Sequence, residues 1–113
     1  MPDTPADELR AAAAKLRHLA GVASAGPWKT AGAGDYGWLV TMPSSGLAIE
    51  TEDSEQGAVD ADYIAAMHPG VGKALADWLD FEADLIDRMP KSELQGRTQR
   101  ALTIARAINQ EQT

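Results

Sequence analysis

The stretch Asp60–Met89, DADYIAAMHPGVGKALADWLDFEADLIDRM, decides how the chain folds. From His68 onward it winds onto a helix at ~100° per residue. Val71, Ala74, Leu75, Trp78, Leu79, Phe81, Leu85, Ile86 and Met89 then share an arc of roughly 160°. Asp77, Asp80, Asp84 and Asp87 gather on the far side, with Ala76 and Ala83 between. Such a pattern predicts one broad apolar face and one acidic face in water. Pro69 suits a first helical position, where its missing N–H costs nothing. The spacing therefore predicts a short helix over 60–67, a break at His68-Pro69 with His68 as a cap, and a longer helix to about Met89. Glu82 departs from the pattern, since it falls inside the apolar arc.

Before this stretch, the chain changes period twice. Thr4-Pro5-Ala6-Asp7 offers a capping hydroxyl, a proline for the first turn and a carboxylate near the positive end of the helix dipole. A first helix is expected over 4–24, with Leu9, Ala12, Ala13, Leu16, Leu19, Ala20 and Ala23 as its apolar stripe. Gly26-Pro27 ends it. From Trp28 to Asp53 the pattern alternates: Tyr36, Trp38, Val40 and Met42 share one face, and Gly37, Leu39 and Thr41 the other. Leu47, Ile49 and Thr51 alternate with Ala48, Glu50 and Glu52. Pro43-Ser44-Ser45-Gly46 between the runs is turn chemistry. Trp28-Lys29-Thr30 adds a third strand through the glycine-rich loop 31–35, giving a β meander over 28–53. Trp38, Val40, Leu47 and Ile49 are expected to face helices, with Glu50 and Glu52 in water.

After Asp53, Ser54-Glu55-Gln56-Gly57 reads as a polar connection to a helical half over 59–109. Pro90-Lys91 breaks the long helix, and Ser92-Glu93-Leu94-Gln95 reads as a capping box opening the last one. If the two arms turn back at Met89-Pro90, facing residues have numbers summing to about 179. That register sets Glu82 opposite Arg97, each the one charge inside its own helix's apolar arc. The expected architecture is α+β in a single domain spanning 1–113: N-terminal helix, three-stranded antiparallel meander, then helices ending in an antiparallel αα-hairpin.

Composition excludes more than it selects. The chain has 113 residues, no cysteine and a formal net charge of −7. Disulfides, thiolate metal sites and a cysteine nucleophile are therefore absent. The charge disfavours direct binding of nucleic acid, which needs clustered Lys and Arg. No apolar run approaches the ~20 residues of a membrane span. A cleavage-like Ala-Ser-Ala at 23–25 is preceded by an alanine-rich run that Lys15, Arg17 and His18 interrupt, so no signal peptide is expected. The expected setting is cytoplasmic.

No motif dictates a chemistry. Gly32-Ala33-Gly34-Asp35-Tyr36-Gly37 matches G-x-G-x-x-G, but a strand follows where a dinucleotide fold needs a helix, so a turn is the stronger reading. His18 and His68 are too few and too far apart for a zinc site. Glu50, Glu52, Asp53, Glu55, Asp60 and Asp62 do not follow the calcium-loop pattern and read as a solvated edge. Ser44 and Ser45 lack a neighbouring base. Neither enzymatic activity nor a cofactor or metal is expected.

Ala25-Gly26-Pro27-Trp28 after an alanine-rich helix, a short β region, and DADYIAAMHPG over 60–70 leading into Ala74-Leu75-Ala76-Asp77-Trp78-Leu79 together resemble small actinobacterial phage and prophage proteins of the Ead/Ea22-like group. The resemblance covers about residues 7 to 80. It implies a non-essential accessory protein made in a bacterial host, and carries no catalytic residues with it. Ala25 stands where the group has Thr before Gly-Pro-Trp. The leading expectation is a non-enzymatic protein that binds a host macromolecule, in a host-takeover or anti-defence role. Its surface would be the acidic row Asp77, Asp80, Asp84 and Asp87 with Phe81 and Leu79 at the margins of the apolar arc, offered to a basic protein partner and to a homodimer. The alternative is a module binding or sequestering a small molecule or nucleotide near Trp28, Tyr36 and Trp38.

Overall fold

The computed structural model describes residues 4–110. Four helices and a three-stranded antiparallel sheet make an α+β arrangement: α1 Pro5–Val22, β1 Lys29–Ala33, β2 Trp38–Met42, β3 Leu47–Glu50, α2 Glu55–Ala66, α3 Pro69–Arg88 and α4 Lys91–Ile108. They form two compact units. One takes in the chain up to His18 and from Lys73 onward, and the other is Leu19–Gly72.

The first unit packs α1, α3 and α4 around alanine. Ala6, Leu9, Ala12 and Ala13 of α1 meet Ala76, Leu79 and Ala83 of α3 and Ala101, Leu102 and Ala105 of α4 in one buried cluster. Side chains this small let helix backbones approach closely, which sets the interaxial distance. α1 opens as its sequence requires, with the Thr4 hydroxyl accepting from the Asp7 amide at 3.1 Å. α4 begins at Lys91 after Pro90, so Ser92 lies inside the first turn and is not the cap. The connection through Met89-Pro90 closes the αα-hairpin, and Glu82 faces Arg97 as the register demands. Glu82 is only 4% exposed, and both its oxygens accept from the Arg97 guanidinium. That fork holds the Arg97 pKa above its ordinary value, first through the hydrogen bonds and then through the charge of Glu82.

The buried face of α3 is rotated from the expected one. Ala76, Leu79 and Ala83 are wholly buried, whereas Phe81 is 52% exposed and Ala74 is exposed. Leu79 is therefore not a left-over margin but the centre of the seam. That side is the one that meets the buried residues of α1 and α4. Arg10 of α1 donates to Asp84 and Asp87, and Arg17 bridges Asp77 and Asp80, so α1 is held on the flank of α3 where its aspartates begin. Arg106 of α4 likewise donates twice to Glu8, and the Lys15 ammonium to the Ile108 carbonyl.

In the second unit the strand order is β1-β2-β3. Val40 faces Ile49 and Met42 faces Leu47 across β2 and β3. Pro43-Ser44-Ser45-Gly46 turns the hairpin, with the Ser45 and Gly46 amides on the Met42 carbonyl and Gly46 at φ +74°. β1 runs through Ala33, further than expected, because Gly32 at φ +79° absorbs a register shift between Thr30 and Ala33. α2 lies against β1 and β2. Val40 and Met42 are consequently buried, but Leu47 and Ile49, expected to face helices, are exposed. They sit on the same face as Val40 and Met42, but α2 packs mainly on β1 and β2 and leaves the β3 edge exposed.

α2 starts five residues before Asp60. The Ser54 hydroxyl accepts from the Gly57 amide and caps the helix, so 54–57 is its first turn and not a connection. Gly57 is needed there: a Cβ would stand 1.7 Å from the Glu52 carbonyl oxygen. At the other end His68 caps α3, accepting from the Gly70 amide through Nδ1 at 3.1 Å, with Pro69 at the first helical position.

Candidate functional site

The acidic row of α3 is brought together and is paired within the chain. Asp77, Asp80, Asp84 and Asp87 form two pairs, each clamped by one arginine of α1. Their sum with Arg10 and Arg17 is two negative charges, not four, and the neutralised half is structural. Leu79 is buried beneath them, and of the proposed margin residues only Phe81 reaches the surface.

The aromatic trio of the alternative site does not converge into a ligand cage. The Trp28 indole donates to the Ser24 carbonyl, the Trp38 indole to the Ser54 carbonyl, and Tyr36 is exposed. Both indoles therefore act as tethers for loop backbone. Trp38 does line a cavity of about 170 Å³ with Thr30, Gly32, Leu39, Ala58, Ala61 and Asp62. Sites for drug-sized ligands run to roughly 300–1,000 Å³, so this space suits neither a nucleotide nor a dinucleotide.

The other motifs resolve into backbone geometry. In the G-x-G-x-x-G run, Gly32 occupies the bulge and Gly37 sits where a Cβ would come within 1.6 Å of the Thr51 carbonyl oxygen. The Gly34 amide closes the loop onto the Gly37 carbonyl at 2.6 Å. The Ser44 hydroxyl donates to the Ala25 carbonyl, and that of Ser45 to Ser24 Oγ. Among the described residues, no group of three or more histidine or carboxylate side chains is arranged to hold a metal ion. No helix among them is long and apolar enough to cross a membrane.

Sequence reasoning read a solvated acidic edge at Glu50, Glu52, Asp53, Glu55, Asp60 and Asp62, but missed how unevenly charge divides between the two units. The second unit carries seven acidic residues, Asp35, Glu50, Glu52, Asp53, Glu55, Asp60 and Asp62, against the single Lys29. It therefore holds nearly all of the chain's net charge of −7. All seven carboxylates are exposed, and among the described residues none is in an ion pair. Counting charge unit by unit would have found this. Beside them, Val59 and Tyr63 of α2 and its C-cap Met67 face solvent, 61%, 67% and 45% exposed.

Comparison with known proteins finds no matching family model, no matching curated protein and no matching solved structure.

Proposed function

We propose that the chain is a non-enzymatic binding protein that captures a basic protein through its Leu19–Gly72 unit. In the setting implied by the Ead/Ea22-like resemblance, it is a phage or prophage accessory acting on a host component. One observation carries the reading: the first unit pairs its acidic row internally, while the second has seven exposed carboxylates with no ion pair among the described residues. Unpaired charge of one sign, facing water, steers and selects partners of the opposite sign. The hydroxyls and glycines that match fragments of catalytic motifs are committed to turns, which supports a binding role over a catalytic one.

The test is calorimetric titration with a Lys/Arg-rich polypeptide at two salt concentrations. Neutralising Glu52, Asp53, Asp60 and Asp62 to their amides is expected to weaken association about tenfold or more and to flatten its salt dependence. Neutralising Asp84 and Asp87, already held by Arg10, is expected to leave it nearly unchanged. Equal effects from the two sets, or no association at all, would contradict the reading.

A further inference from the structure

We propose that the outward face of α2 is the docking surface for a basic amphipathic helix of the partner, an inference that rests on the function proposed above. α2 keeps Ile64 half-buried on the face of Gly57 and Ala61, but turns its other large apolar residues outward. A helix covering a sheet ordinarily turns its large apolar side chains inward. Here the buried positions are Gly57 and Ala61, while Val59, Tyr63 and Met67 point to solvent. Gly57 also lies against the backbone of Glu52, just before the helix, so closely that no Cβ fits there. Val59 and Tyr63 lie one turn apart on the outer face, and the C-cap residue Met67 continues their ridge just past the helix end. At 1.5 Å per residue the ridge runs about 12 Å, the reach of two to three turns of a second helix.

Charge chooses the occupant. On the helical wheel Asp60 falls about 100° to one side of Val59, beyond Met67, and Asp62 about 60° to the other. Both are exposed, and among the described residues neither is in an ion pair; Asp60 accepts only from the Gln56 amide at 2.9 Å. The ridge is thus apolar along its crest and anionic along both flanks. A second copy of the chain would bring like charges together on both sides, which association disfavours. A helix with an apolar stripe bordered by Lys and Arg satisfies crest and flanks at once, in the helix-to-helix mode of recognition.

The experiment uses the full chain and synthetic peptides of about five helical turns: a leucine-striped Lys/Arg helix, the same stripe with Glu in place of Lys and Arg, and a proline-broken basic control. Binding is read by fluorescence anisotropy. The basic helix is expected to bind and the other two to bind at least about tenfold more weakly. Tyr63→Ser with Met67→Ser, whose exposed side chains leave the fold intact by circular dichroism, is expected to cost a further tenfold or so. If the serine variant binds the basic helix unchanged while Asp60→Lys with Asp62→Lys abolishes binding, the α2 ridge is overturned and the basic-partner reading stands. If neither variant matters, both fall. Self-association that Tyr63→Ser removes would make a second copy the occupant and overturn the proposal.

Discussion

Replacing Leu79 and Phe81 by alanine separates two orientations of α3 that differ by the side of the helix buried. Leu79 is 0% exposed and its cluster neighbours on α3 are Ala76 and Ala83. The alanines have no side chain to swing into the space left behind, and Leu9 and Leu102 of the same cluster can fill it only in part, so the cost belongs in the middle of the range for buried leucines, about 3 kcal/mol. Phe81 is 52% exposed, so truncation loses only part of its transfer energy, encloses no cavity and gains helix propensity; about 1 kcal/mol is expected. With a urea slope near ~1.3 kcal/mol per molar for a chain this small, Leu79→Ala lowers the unfolding midpoint by about 2 M and Phe81→Ala by under ~1 M. Far-UV circular dichroism against urea gives both values. A Phe81→Ala loss equal to or greater than that of Leu79→Ala would refute the rotated seam and restore the face that α3's own hydropathy indicates.

Glu82→Gln and Arg97→Met are each expected to destabilise, and the double change to cost less than their sum, because either single change strands a group the other was satisfying; strict additivity in the cycle would break the pairing. Gly57→Ala should destabilise by more than about 2 kcal/mol, since its Cβ meets a backbone oxygen at 1.7 Å and backbone must move. Gly96→Ala, in open space within α4, should instead stabilise by about 1 kcal/mol, and thermal melts of the two variants would show shifts of opposite sign. Removing the His68 cap with alanine should cost about 1 kcal/mol, with His68→Asn recovering most of it in the same melts.

The elements legible in the sequence are those specified by residues close along the chain. Thr4-Pro5, His68-Pro69 and the Pro43–Gly46 turn each satisfy their own backbone groups, and the structure places all three as their chemistry requires. Glu82 with Arg97 was legible for a different reason: two charges, each misplaced alone, identify one another once a register is assumed. Edges and seams were not legible. Leu47 and Ile49 alternate as core residues do, and nothing in β3 says that α2 stops short of it. The buried side of α3 is where it packs against α1 and α4, distant in sequence, through alanines that hydropathy counts as neutral. The α2 ridge escaped notice because a helix begun at Asp60 omits Val59, and because Gly57 looks like a breaker until the close approach to Glu52 is seen.

Amide chemical-shift mapping of the full chain with the basic amphipathic peptide tests the central claim most directly. Perturbations are expected to concentrate on α2 and its C-cap, from Val59 to Met67 and including Asp60 and Asp62, with Asp77, Asp80, Asp84 and Asp87 unmoved. Perturbations centred on those four α3 aspartates and Phe81, with α2 silent, would contradict it.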